Sequence, residues 1–214
     1  MSATAHLSMA LSDSLDGLVR FVRPSLVIVN GQRFGYGAGF IWAAEGLILT
    51  NAHVVQRHAP LVRLDDEREF EGRLVERDKE VDLALLEIDA RGLPAIRIAQ
   101  VLPRVGEMVF TFGHPWGQRG YVSGGIVSAI AMARTRGRRG SFPVIRSDAP
   151  LAPGNSGGPL VNGAGELVGV NAMIVGGDQS ISIPATVAHD FVQAALAGRP
   201  AVQRQDSPAP ERVL

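Results

Sequence analysis

Pro153-Gly154-Asn155-Ser156-Gly157-Gly158-Pro159-Leu160-Val161-Asn162-Gly163 is the stretch on which the fold of the whole chain turns. It sets one hydroxyl among residues whose backbones take sharp, close-approach conformations. After the serine, Pro159-Leu160-Val161 runs into Asn162-Gly163, a strand entering a hairpin turn and not the start of a helix. An all-β chain is therefore expected around this loop. Taken alone, the loop is equally consistent with an ordinary Gly-rich surface turn.

The same rhythm extends outward. Leu26–Val29 before Asn30-Gly31, Phe40–Trp42, Leu47–Leu49, Leu83–Ile88, Met108–Phe112, Ile126–Ile130, Leu167–Val170 and Ile181–Ile183 are short apolar runs broken by turn residues. With no amphipathic helices between them, antiparallel barrels or a sandwich are expected in place of a parallel sheet. Helical spacing is confined to the ends. Leu11, Leu15, Leu18, Val19 and Val22 follow candidate caps at Ser12 and Asp13 and stop at Pro24, which predicts a short helix over 12–23 behind a loose tail. Val187, Phe191, Ala195 and Leu196 share a face of a second helix, closed by Gly198 and followed by Pro200. The expected organisation is a tail and helix over 1–23, a folded domain over 24–198 made of two halves that split near 105–122, and a disordered tail over 199–214.

Composition narrows the function classes. Hydrophobic residues are 46% of the 214, ample for a packed core. Lys plus Arg and Asp plus Glu are 21 each, which removes any global pull towards nucleic acid or an anionic membrane. No apolar run approaches the roughly 20 residues a spanning helix needs, and no basic-then-apolar leader opens the chain. As written it is expected to be soluble and cytoplasmic, or periplasmic if its start was trimmed. The lack of cysteine removes disulfides, a thiol nucleophile and thiolate ligands.

A serine at its ordinary pKa is a poor nucleophile and needs a base within reach and a third group to orient that base. Leu47-Ile48-Leu49-Thr50-Asn51-Ala52-His53-Val54-Val55 carries a histidine just past a buried strand, which aims it into a cleft. Val81-Asp82-Leu83-Ala84-Leu85-Leu86 puts a carboxylate at the head of an apolar run, where it needs a donor such as an imidazole N–H. Asp65, Asp66, Asp78 and Asp89 lie in charged or turn-like surroundings and read as solvated. The order His53, Asp82, Ser156 in an all-β chain is that of the two-barrel serine proteases. Gly154-x-Ser156-x-Gly158 with Asp178 and His189 downstream also fits the nucleophile elbow of α/β-hydrolases, but that elbow needs a strand before the serine and a helix after it. The backbone amides of the Gly154, Asn155 and Ser156 loop are the expected oxyanion donors.

At these residues the chain resembles the HtrA (Deg) serine proteases, from about Gly35 to Val192. Gly35-Tyr36-Gly37-Ala38-Gly39-Phe40 is similar to that family's strand entry, Leu49-Thr50-Asn51-Ala52-His53-Val54-Val55 to its histidine motif and Asp82-Leu83-Ala84-Leu85-Leu86 to its aspartate motif. Phe112-Gly113-His114-Pro115-Trp116-Gly117, Gly125-Ile126-Val127-Ser128-Ala129 and Ser147-Asp148-Ala149 through Leu160 continue the match in order. The resemblance implies a chymotrypsin-like fold of two perpendicular antiparallel six-stranded barrels. It implies a triad in the cleft between them, unfolded polypeptides bound as an added strand, and a homotrimer. By the same resemblance Ala172, Met173, Ile174, Ser180, Ile181 and Ser182 wall the primary specificity pocket, which suits small or medium aliphatic side chains. Phe21, Phe34 and Tyr36 are the expected trimer anchors, or else a cover for the barrel's open end. The residues after Gly198 are too few for the PDZ domain that members usually carry, so control through such a module is not expected.

The remaining imidazoles, His6, His58, His114 and His189, form no set at metal-ligand spacing, so neither a metal nor another cofactor is expected. Arg134, Arg136, Arg138 and Arg139 read as a solvated basic loop without the interleaved aromatics of a nucleic-acid site. Three functions compete: an endopeptidase acting on unfolded or misfolded proteins, a chaperone-like binding protein that uses the same cleft with low turnover, and a regulatory esterase that uses the same residues.

Overall fold

The computed structural model describes residues 3–31, 36–56, 59–115, 118–134, 140–175 and 179–198. Ser12 and Ser14 settle where its first helix begins. Their hydroxyls donate back to the carbonyls of Ser8 (3.0 Å) and Ala10 (2.8 Å), the i−4 bonding of serines inside a helix and not of caps. Helix α1 accordingly spans Ala3–Val22, which corrects the expected start at residue 12 and the loose tail before it. Leu18 and Val22, one turn apart, are its buried anchors. Pro24 then turns the chain through a short 3-10 segment, Arg23–Ser25, into the first strand.

The first sheet contains β1 (Leu26–Asn30), β2 (Gly37–Ala43), β3 (Leu47–Thr50), β4 (Leu61–Arg63), β5 (Glu69–Glu71), β6 (Arg73–Asp78) and β7 (Leu83–Glu87). All its pairings are antiparallel, in the order β5-β4-β1-β2-β3-β7-β6. Its two outer strands are consecutive in the chain. Only Gly72 separates β5 from β6, and its N–H is drawn to the Pro60 carbonyl at 2.7 Å. One stretch of backbone therefore pairs with β4 through its first half and with β7 through its second, and the sheet rolls round on that break. Within the expected chymotrypsin-like fold, this half has seven strands in place of six and forms a rolled sheet.

The second half matches the expectation of a closed six-stranded barrel. Its strands are β8 (Met108–Gly113), β9 (Tyr121–Arg134), β10 (Ser141–Ser147), β11 (Pro159–Asn162), β12 (Leu167–Val175) and β13 (Gln179–Pro184), in the order β10-β13-β12-β11-β8-β9. The first sheet ends at Glu87 and the second begins at Met108, so the two halves divide over 88–107, upstream of the expected 105–122. Helix α2, Ala185–Ala197, closes the described chain. Its most buried side chains are Ala185, Ala188 and Val192, with Val187, Phe191, Ala195 and Leu196 partly buried beside them, so the inward face is rotated from the one expected.

Two apolar clusters explain why β3 and β7 read as unbroken apolar runs. Ile48, Ala84 and Leu86 face Val27, Val29, Ile41 and Val62 inside the rolled sheet. Leu49, Leu83 and Leu85 face the other way, into a cluster that contains Phe112, Val161 and Val170 of the barrel and Val192 of α2. With both faces buried, alternation disappears from the sequence. Residues at the inner ends of these strands thereby meet the barrel across one continuous core.

Candidate active site

β3 and β7 pair side by side, with Thr50 opposite Ala84. The chain leaving β3 and the chain entering β7 therefore run next to each other, which brings His53 and Asp82 together. The Asp82 carbonyl accepts the Ala52 N–H (3.2 Å) and the Asn51 side-chain amide (2.9 Å). These bonds hold Asp82 at φ +61, a left-handed conformation that is strained for a residue with a side chain. Its carboxylate then faces back. Oδ2 meets His53 Nδ1 at 2.7 Å and Oδ1 accepts the His53 backbone N–H at 3.0 Å. A carboxylate on Nδ1 selects the tautomer with its proton there and leaves Nε2 as the free base. The His53 side chain is 43% exposed, so a substrate can reach it.

Ser156 sits on the loop between β10 and β11 of the barrel. The loop is clamped from both sides. The Ser156 carbonyl accepts the Ala38 N–H of β2 at 2.9 Å, while Gly157 N–H donates to Asn171 of β12 (2.8 Å) and Gly158 O accepts from Asn171 (2.9 Å). Gly154 has φ +106 and Gly157 φ +84, so both positions require glycine. A Cβ at Gly154 would stand 2.5 Å from the His114 carbonyl, and one at Gly157 would collide with Thr50 Oγ1 and the Ala38 carbonyl. Asn155 N–H is engaged by the Ala152 carbonyl at 2.9 Å and is thus occupied, unlike its neighbours in the expected donor set. Among the described residues no protein acceptor meets the N–H groups of Gly154 and Ser156. The Ser156 hydroxyl donates to the Ala172 carbonyl at 3.1 Å and makes no hydrogen bond to His53.

The expected pocket residues divide. Ala172 is buried, with its carbonyl on Ser156, while Met173 and Ile174 are about half exposed at 51% and 46%. Met173 pairs with Ile181 across β12 and β13. Ser180 and Ser182 turn inward and are satisfied there, Ser180 by the Ser147 hydroxyl at 2.7 Å and Ser182 by Asn171 Oδ1 at 3.1 Å. They support the wall from behind.

His114 is the residue whose place the sequence did not announce. Its N–H holds the Gly154 carbonyl at 3.1 Å, directly beneath the serine loop. Burial pushes its imidazole down to about 4, against the pull of the nearby Asp65 carboxylate, so the ring is neutral at pH 7. Asn171 was missed likewise: its backbone clamps Gly157 and Gly158 while its side chain donates to Pro159 O at 3.1 Å. Of the other expected residues, Asp178 and Phe34 lie outside the described residues, and His189 stands exposed on α2.

Comparison with known proteins identifies the family. Residues 37–170 match the family model described as a trypsin-like peptidase domain. Over 161 residues the chain is 43% identical to a DegP-like periplasmic serine endoprotease of Pseudomonas fluorescens, covering 72% of this chain and 33% of that protein. Over 166 residues it is 42% identical to the DegP-like counterpart in Halomonas elongata, covering 74% and 35%. The chain thus spans about a third of the length of these curated relatives. The crystal structure of the serine endoprotease from Yersinia pestis superposes with a TM-score of 0.76 at 32% identity, over 86% of this chain and 66% of that one.

Proposed function

Since the chain belongs to the family of trypsin-like peptidase domains, we propose that it is a serine endopeptidase of HtrA type that cleaves unfolded or misfolded polypeptides through an acyl-enzyme. The carrying observation is the His53–Asp82 pair, a base oriented at two points by one carboxylate, beside a serine clamped between the two sheets. For attack, the Ser156 hydroxyl leaves the Ala172 carbonyl for His53 Nε2. Its proton passes to Nε2 as Oγ bonds to the scissile carbonyl carbon, and the carbonyl oxygen gathers negative charge against the Gly154 and Ser156 N–H groups. Asp82 stabilises the imidazolium without taking its proton. His53 then protonates the leaving amine as the C–N bond breaks. Water, deprotonated by the same imidazole, releases the acyl group and restores Ser156 Oγ–H.

The resting Ser156–Ala172 hydrogen bond favours a second reading, a binding protein with low turnover. Labelling with a fluorophosphonate, together with casein digestion by the chain and by Ser156→Ala, separates the two. Labelling with digestion that the variant loses bears out the peptidase, and a chain that binds unfolded casein without cleaving it bears out the holdase.

In the pocket, exposed Met173 and half-buried Ile181 form an apolar wall that suits Val, Ala or Leu before the scissile bond. Phe21, exposed at 46% yet stacked under Arg97 (4.9 Å), and exposed Tyr36 are the described anchors for a homotrimer, which light scattering checks. The relatives' names place them in the periplasm, so the cytoplasmic expectation has no support and the periplasm is the compartment proposed.

A further inference from the structure

Beside the His53–Asp82 pair the first sheet carries a groove of about 470 Å³, lined by His53, Val55, Gln56, Arg77, Lys79 and Asp82. Its charge is one-sided. Asp82 is the only carboxylate among the described lining residues, and both its oxygens are taken by His53. Asp78, at the end of β6, folds Oδ1 onto the N–H groups of Glu80 (2.8 Å) and Val81 (3.2 Å) and does not line the groove. Elsewhere on this sheet arginines are neutralised, Arg63 by Glu69 and Arg73 by Glu87. Arg77 and Lys79 make no such ion pair among the described residues, and Glu76, Asp78 and Glu80 line the neighbouring groove with them and not this one.

Arg77 is also held in place. Its Nη1 donates to the Val55 carbonyl at 2.7 Å, two residues past the catalytic imidazole, which fixes the guanidinium along the wall and leaves further N–H donors free. A guanidinium so oriented, with an ammonium beside it, suits a carboxylate and repels a cation.

We propose that Arg77 and Lys79 form a specificity subsite that selects an Asp or Glu side chain on a substrate residue flanking the scissile bond, next to the imidazole. The subsite rests on the endopeptidase reading. The groove shares His53 with the reacting centre, so a substrate residue flanking the scissile bond is the one that can enter it. The selection therefore acts on the position of the cut and adds to the aliphatic preference of the primary pocket.

The test uses internally quenched peptides that differ only in Glu, Gln or Lys at each position flanking the cleavage site, with active enzyme titrated by a fluorophosphonate. At low salt kcat/KM should favour Glu over Gln by about fivefold at one position, with Lys below Gln. The preference should shrink at about 0.5 M NaCl, where exposed charges are screened. Arg77→Gln should reduce the Glu preference and Lys79→Glu should turn it towards Lys. Lys79 is exposed, so that variant keeps the test open should Arg77→Gln fail to fold. Titratable enzyme that cleaves the Glu, Gln and Lys peptides equally overturns the subsite and leaves the peptidase standing. Enzyme that takes no label overturns the peptidase reading and the subsite with it.

Discussion

The two halves of the site are built differently. His53 and Asp82 belong to one sheet, lie on neighbouring strand ends and are already joined by two hydrogen bonds. Ser156 belongs to the other sheet, on a loop whose shape depends on two left-handed glycines, and its hydroxyl rests on Ala172. On the peptidase reading, the proposed base is preassembled by strand pairing, whereas the proposed nucleophile is positioned by loop geometry and its hydroxyl rests away from that base. Substitutions in the two halves should therefore fail in different ways.

Removing the nucleophile tests the extreme of that contrast. Ser156→Ala should lower kcat by about 10³-fold or more, since triad members act as a unit. The melting temperature should barely move, because the loop is clamped through its backbone. Gly154→Ala comes next. A Cβ there meets the His114 carbonyl and the Pro115 backbone, so the Gly154 N–H should swing away and kcat should fall by about 10²-fold, with KM for small esters little changed. Asn51→Ala attacks the base half. Loss of the amide on the Asp82 carbonyl should destabilise the fold by about 1–2 kcal/mol in urea titration and lower kcat by about tenfold, as Asp82 relaxes from φ +61.

The effect furthest from turnover is on pH dependence. His114 has its folded pKa depressed to about 4 from 6.5, so it is neutral in the fold while the unfolded chain takes up a proton below 6.5. Its share of stability is complete above pH 6.5 and falls away as the pH drops towards 4, by up to about 3 kcal/mol. Urea midpoints measured from pH 7 to 4 should fall less steeply for His114→Asn than for the parent. Equal slopes would remove His114 from the acid sensitivity of the serine loop.

The sequence exposed those parts of the fold that rest on local signals. Leu47–Leu49 and Leu83–Leu86 are apolar on both faces, so their strands, and the His53 and Asp82 at their ends, stood out. Leu61–Arg63, Glu69–Glu71 and Arg73–Asp78 escaped notice because they are short, polar and mostly solvated, and Gly72 looks like any turn glycine. Without them the rolling of the first sheet was hidden. Ser180 and Ser182 are placed on a pocket wall by the family resemblance, which does not tell which way their side chains turn. Their inward partners, Ser147 and Asn171, come from other strands and are adjacent only after the barrel closes. The contact of His114 with Gly154 was hidden for the same reason, since the two lie 40 residues apart. The Ser12 cap misled because a hydroxyl inside a helix bonds back to a carbonyl as readily as it caps.

The hydrogen bond from Ala38 N–H to the Ser156 carbonyl joins a strand of one sheet to the nucleophile loop of the other. It involves no reacting atom. Its proton can exchange with solvent only when that junction opens, so the deuterium uptake of this one amide is a clock for how often the two sheets part at the site. Read by NMR on the unreactive Ser156→Ala chain, it would time the opening in the absence of turnover and show whether a bound peptide slows it.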